Sequence, residues 1–382
     1  MLTKDSDLIA ALRTMRHELH RHPELSGQES QTAQRITRWL DDYPPDQLLT
    51  GLGGHGVAAI YCGADLGPTV LIRAELDGLP IHETGQPPHR SQIEGKAHLC
   101  GHDGHMTILA GLAAHLFAER PAQGRVVLLF QPAEEDGSGA AAVLADPRYA
   151  NIAPDYAFAI HNMPGIPLGH ARIAAGPMNC ASRGVRIALT GRTAHASMPE
   201  TGLSPAPAMA ALIPALGALS RPVAFADREF RMITVTHARL GAPAFGVAPG
   251  DAELWVTLRC HGDDGMEQLL AETTALIQQH TTGLKAVMEE HDVFAACTND
   301  PEATAIFQRA LDGEAVVHDT SELPMRASED FGRFGNKGAR SSMALIGAGA
   351  MPALHNSDYD FPDALIPLGL RLFRRIVRDV LG

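Results

Sequence analysis

RVVLLFQPAEEDG, residues 125–137, is the stretch whose reading decides the fold. Arg125–Phe130 is a short and almost continuously apolar run. It lacks the alternation of a strand with one wet face, and it suits a strand buried on both faces of a sheet. The chain then turns polar at once, through Gln131, Pro132, Ala133, Glu134, Glu135 and Asp136. Open α/β sheets bind ligands beyond the carboxyl ends of their strands, so polar residues at such an end are candidates for chemistry.

The same pattern repeats on either side. TVLIRA, residues 69–74, leads into Glu75, Leu76 and Asp77. YAFAI, residues 156–160, leads into His161 and Asn162. MALI, residues 343–346, is followed by Leu354, His355 and Asn356, and Val57–Tyr61 is a further apolar run. Helical patterns lie between, over Met106–Ala118 and Gly139–Leu144. Ahead of them Leu8, Leu12, Met15 and Leu19 recur at spacings of three and four, with Asp5 or Ser6 as cap, and a second helix covers Glu29–Leu40. Buried strands alternating with helices predict an α/β fold with both faces of its sheet covered.

The middle reads differently. Val185–Thr190 alternates apolar and polar residues, an Ala-rich helix spans Ala206–Leu219, and alternating strands follow at Phe230–Arg239 and Asp251–Arg259. A helix over Met266–Gln279 and a strand over Lys285–His291 complete a β-α-β-β-α-β order, the ferredoxin-like pattern. The expected organisation is an inserted α+β domain at 180–293 within a larger domain formed by residues 1–179 and 294–382.

The 382 residues are 45% hydrophobic and 20% charged, enough apolar material for a large core and too much for wholesale disorder. Lys and Arg number 31 against 44 Asp and Glu, a net charge of −13, so a nucleic-acid partner is not expected. The cysteines, Cys62, Cys100, Cys180, Cys260 and Cys297, are odd in number and widely spaced, which argues against a disulfide framework. The first 25 residues carry charges every few positions and offer no signal-peptide core. No membrane span is expected, and a reducing cytoplasm is the default reading.

Cys100-Gly101-His102-Asp103-Gly104-His105 concentrates a thiol, imidazoles and a carboxylate, an unusual density of metal-ligand types. The alternative is a polar helix start beside a buried free cysteine. Glu135, His161 and His355 at other strand ends favour the metal. Glu134 and Glu135 suit either a solvated turn or a division of labour beside a metal, one carboxylate ligating and its neighbour handling a proton. Other motifs fail: HELH at His17–His20 is not HExxH, GLGGHG at Gly51–Gly56 lacks the Lys of a phosphate loop, and no GxSxG occurs.

Taken together the motifs resemble the M20 metallopeptidase superfamily, and within it the aminoacylase/amidohydrolase branch of hippurate hydrolases, indole-acetyl-amino-acid hydrolases and N-acetyl-diaminopimelate deacetylases. They are LHRHPELSGQE from Leu19, RAELDGLPI from Arg73, CGHDGH from Cys100, QPAEEDGSGA from Gln131, HNMPGIPLG from His161 and GRTAHASMPETG from Gly191. WVTLR from Trp255, SEDF from Ser328 and LHNSDYDF from Leu354 follow in the family's order, over essentially the whole chain.

The resemblance implies a zinc-exopeptidase-like catalytic domain with a central mixed sheet and an inserted ferredoxin-like lid domain. It implies Cys100, His102, Glu135, His161 and His355 as metal ligands, Glu134 as general base and Asp77 as an acid near the metals. It gives His195 and Arg259 contacts to substrate, and implies divalent ions, two per subunit, drawn from zinc, manganese, cobalt or nickel. The expected activity is hydrolysis of a small N-acyl amino acid by a homodimer joined through the lid. A dipeptidase and a non-catalytic metal- or ligand-binding relative are the rivals. Three positions depart from the branch: Glu75 and Ser204 where Asp is usual, and Gly246 where the lid motif carries an Asn that helps hold the substrate carboxylate.

Overall fold

A computed structural model describes residues Asp5–Gly382; Met1–Lys4, the start of the stretch read as lacking a signal peptide, lie outside the described residues. The chain forms two compact units. The first takes residues up to Met178, Cys297–Leu323 and Asp330–Gly382; the second takes Asn179–Ala296 and Pro324–Glu329.

The first unit is built on an eight-stranded mixed sheet in the order Gln47–Leu52, Gly56–Cys62, Gln123–Gln131, Asp65–Glu75, Tyr156–Pro164, Arg340–Gly349, Ala171–Arg172, His318–Asp319. Four of these strands are parallel neighbours. Glu75 pairs with Gln131, Ile72 with Phe158, and Leu345 with His161, so all four finish at one edge. Val57, Val70, Ile72, Val126, Leu128 and Phe130 share a core with Leu12, Ile36, Leu109, Leu112, Phe307 and Ile376 from the helices. The residues between them, Leu71, Val127 and Leu129, are also fully buried. Burial on both faces is why these strands carry no polar alternation.

The helix predicted from Met106 begins earlier, at His102, and runs to Ala118. Gly101 turns the chain into it with φ +94°, a conformation that favours glycine. Gly104, a poor helix former, is kept in the first turn by packing: a Cβ there would lie 2.5 Å from the ring of Phe361. CGHDGH is therefore the helix entry itself rather than a loop before it.

The second unit has a four-stranded antiparallel sheet in the order Arg231–Leu240, Asp251–Cys260, Ala181–Thr190, Lys285–Phe294. Leu254, Val256 and Leu258 pack with Val185, Ile187 and Leu189 against Leu212 and Leu216 of the Ala206–Gly217 helix and Leu269 and Ile277 of the Asp263–His280 helix. Trp255, between the buried positions, is exposed. One face buried and one face open accounts for the alternation in these strands. Among the described residues no helix is long and apolar enough to cross a membrane.

Candidate metal centre

The common edge of the four parallel strands gathers the polar residues that follow them. Glu134 and Glu135 occupy the turn after the Gln123–Gln131 strand. Ala133 enters that turn at φ 49°, where side-chain-bearing residues are disfavoured. Its N–H donates to Glu29 Oε1 at 2.8 Å, and its carbonyl accepts from Gly139 N at 2.8 Å. Position 139 must be glycine, because a Cβ there would meet the Pro132 carbonyl at 1.7 Å. The N–H of Glu135 donates to Asp77 Oδ2 at 3.0 Å, an atom that also accepts from Ser26 Oγ at 2.7 Å.

Six side chains face one another there. Cys100 Sγ lies 3.4 Å from His161 Nε2, and His355 Nε2 lies 3.5 Å from Glu135 Oε2. His102 Nε2 lies 3.8 Å from Glu135 Oε1 and 3.9 Å from Glu134 Oε2. Three overlapping sets of donors result: Cys100, His102 and His161; Cys100, Glu135 and His355; and His102, Glu134 and Glu135. The far sides of two imidazoles are tied. His102 Nδ1 donates to the Asp77 carbonyl at 2.9 Å, and His161 Nδ1 donates to the Asn162 carbonyl at 2.7 Å. Both rings are thereby left with Nε2 as the free lone pair, the arrangement in which a histidine ligates. His355, half-exposed, sits at φ 66° with its N–H on the Leu99 carbonyl at 2.9 Å, so a strained backbone aims this imidazole.

These donors fit a divalent cation. Ligands at 2.0–2.3 Å from a tetrahedral zinc stand about 3.3–3.8 Å apart, close to the separations here. His102 Nε2 is fully buried and makes no hydrogen bond among the described residues. Burial disfavours its imidazolium, yet Glu75, Asp77 and Glu135 outweigh burial and carry it up to about 10, so the pocket calls for positive charge. Burial, with Glu135 and Glu134, pushes the Cys100 thiol well up. Burial, with His105, takes His161 down to about 3. A cation reverses the first of these demands and is what a buried thiol needs in order to ionise. Thiolate, imidazole and carboxylate together suit borderline first-row metals.

His195 and Arg259 belong to the second unit. His195 is exposed, on a two-residue strand Ala194–His195 that pairs with Val247–Ala248. Arg259, on the Asp251–Cys260 strand, donates through Nη1 to the Arg326 carbonyl at 2.8 Å and to Ser328 Oγ at 2.9 Å.

Several residues around the donors carried no assignment from sequence. Ser26 and Glu29 fix Asp77 and the Ala133 turn, and their only signal was the motif LHRHPELSGQE. His20, in the same motif, donates through Nδ1 to Asp103 Oδ2 at 2.9 Å, and Arg16 reaches the same oxygen at 3.1 Å. Glu75 pairs with Arg73 and accepts from His105 Nδ1 at 2.7 Å, so the glutamate at this departing position spans to a histidine of CGHDGH that does not join the donor sets with Cys100.

A family model described as peptidase family M20/M25/M40 matches residues 71–379. N-acetylcysteine deacetylase from Bacillus subtilis is 34% identical over 247 residues, which cover 64% of this chain and 64% of that protein. Hippurate hydrolase from Campylobacter jejuni is 29% identical over 368 residues, 94% of each chain. The crystal structure of a dinuclear metal-binding peptidase of the M20 family from Bacillus subtilis matches with a TM-score of 0.81 over 99% of each chain, at 24% identity, a likeness of fold. The sheet, the donor cluster and the sequence match over residues 71–379 converge on one assignment: this chain belongs to peptidase family M20/M25/M40.

Proposed function

We propose that the chain is a metal-dependent amidohydrolase that cleaves the amide bond of N-acyl amino acids or related small amides. The observation that carries the reading is the adjacent pair Glu134 and Glu135 at one strand end, both within 4 Å of the lone-pair nitrogen of His102. Relatives named for hydrolysing N-acetylcysteine and hippurate support the substrate class.

Cys100, His102, Glu135, His161 and His355 would hold two divalent ions, from among zinc, manganese, cobalt and nickel. Such ions, when bound, supply polarisation of the amide carbonyl and acidification of water. Glu134 takes the water proton and delivers it to the leaving amine nitrogen. Asp77 holds His102 through its carbonyl and Glu135 through its carboxylate, which keeps two donors in register. His195 donates to the oxygen on which negative charge develops. Arg259 pairs with the substrate carboxylate, for which a planar guanidinium is suited.

The first unit is the catalytic domain in this reading and the second is a lid that joins two copies into a homodimer. The Arg231–Leu240 strand supports the latter: it is one edge of the sheet, ten residues long, and its residues from Thr234 onward are exposed. Long exposed edges invite pairing with another strand. Five cysteines with no disulfide among the described residues support a reducing compartment, the cytoplasm.

The test is release of amine from N-acetylcysteine and N-benzoylglycine, with and without chelator, beside a dipeptide panel. The reading predicts hydrolysis of the N-acyl compounds that chelator abolishes and a divalent ion restores. Cleavage confined to dipeptides makes the chain a dipeptidase. No turnover in metal-loaded protein makes it a binding protein.

A further inference from the structure

We propose that His105, anchored on Glu75, is the positioning residue for His161 and acts through the backbone of Asn162. The proposal rests on the reading of His161 as a metal ligand, and every residue involved belongs to the first unit.

Two neighbouring strands part where the donors lie. Asp65–Glu75 pairs with Tyr156–Pro164 only from Val70 opposite Tyr156 to Ile72 opposite Phe158. Past Phe158 the second strand has no ladder on that side, and His161 and Asn162 fall in the unpaired stretch. His105, in the first turn of the His102–Ala118 helix, bridges the gap. Its Nδ1 donates to Glu75 Oε2 at 2.7 Å, at the end of one strand, and its Nε2 accepts from the Asn162 N–H at 3.3 Å, on the other. The two bonds fix the tautomer: the proton is on Nδ1, and the Nε2 lone pair is spent on the backbone. Glu75, His102 and His105 lie close enough together to form a donor set of their own. Glu75, however, is taken up by Arg73 as well as by His105, and His105 has no lone pair left to offer an ion.

Asn162 matters because it holds His161. The bond from His161 Nδ1 to the Asn162 carbonyl, 2.7 Å, leaves Nε2 directed at Cys100 Sγ, 3.4 Å away. A ring tied to the next residue along the chain is held no more firmly than that residue. Asn162 is itself held twice, at its N–H by His105 and at its side chain, whose Nδ2 donates to Tyr359 Oη at 2.6 Å. A Cβ at position 101 would lie 2.1 Å from Asn162 Oδ1, so Gly101 admits this amide against the CGHDGH turn. The His105 ring also packs at a steep angle against the His161 ring, with centroids 4.9 Å apart. His105, Glu75, Asn162 and Tyr359 are all buried. Burying ionisable groups is costly, and here two of them end on a single backbone N–H beside a donor. That is how outer partners orient a ligating histidine.

The experiment measures affinity for Co²⁺, by competition with a chromophoric chelator, in wild type, His105→Asn, His105→Gln, His161→Ala and the double variant His105→Asn/His161→Ala. The visible absorption of each cobalt form and the unfolding temperature of each metal-free protein are recorded beside it. His105→Asn keeps a donor for Glu75 and loses the acceptor for the Asn162 N–H. It is expected to weaken binding about 10–100-fold and to alter the cobalt bands. His105→Gln, whose side-chain oxygen can accept the same N–H, is expected to recover most of that loss. In the His161→Ala background His105→Asn is expected to change affinity by less than about twofold, because the donor it positions is already gone. An equal loss in both backgrounds overturns the proposal: His105 is then a support of the fold if the metal-free unfolding temperature falls, and a ligand in its own right if it does not. Wild-type affinity and bands in His105→Asn overturn it as well. Wild-type protein that binds no cobalt removes the metal reading itself and the proposal with it, an outcome distinct from these.

Discussion

In the first unit most of the side chains that face one another are buried and two of their imidazoles are tied at the far end, whereas in the second His195 stands exposed on a ribbon two residues long. His102 is fixed by Asp77, His161 by the Asn162 carbonyl, and the Glu135 backbone by Asp77 again. Ligand sets demand this, because donor positions must hold within a fraction of an ångström for an ion to bind. A donor to a transition-state oxygen, the role proposed for His195, needs less from its surroundings than a ligand set does. The two regions should therefore respond separately to mutation, one through metal content and the other through turnover.

The sharpest test of that separation is His195→Ala. Loss of an oxyanion donor is expected to lower kcat by about 10²–10³ while metal content stays at the wild-type value. Elemental analysis beside steady-state kinetics decides it, and metal loss in this variant breaks the comparison. Asp77→Asn leaves the size of the side chain but weakens its hold on the Glu135 N–H. Metal affinity should fall roughly 10–100-fold, read by competition with a chromophoric chelator. Unchanged affinity would remove Asp77 as the residue that orients the ligands. Arg259→Lys keeps charge and loses the planar fork, so KM should rise about tenfold with kcat little changed. A fall in kcat at constant KM would give Arg259 a role in the chemistry instead.

The parts of this arrangement that sequence discloses are those decided locally. Arg125–Phe130 and Thr69–Ala74 read as buried strands because each is apolar on both faces, and the structure buries them so. Asp251–Arg259 reads as half-open because Trp255 and its neighbours alternate with Leu254 and Val256. The entry of the helix at His102 was not legible, since Gly104 is a helix-breaking signal until Phe361, far along the chain, is seen to occupy the space a side chain would need. Ser26 and Glu29 were not legible as individual residues for the same reason. Their partners, Asp77 and Ala133, lie just beyond the ends of strands elsewhere in the chain. Pro324–Glu329 clusters with the second unit although it follows Cys297–Leu323 of the first, a grouping that no composition change in the sequence announces.

The central claim is that adjacent carboxylates divide ligation from proton transfer, and paired substitutions test it most directly. Metal content after dialysis and kcat are measured for Glu134→Gln and Glu135→Gln side by side. The account predicts that Glu134→Gln keeps its metal while turnover falls by at least about 10²–10⁴, the worth of a positioned general base. Glu135→Gln is predicted to lose metal, because the charge of a ligand is removed. Metal lost from Glu134→Gln and kept by Glu135→Gln would reverse the two roles, and near-normal turnover in Glu134→Gln would contradict the account.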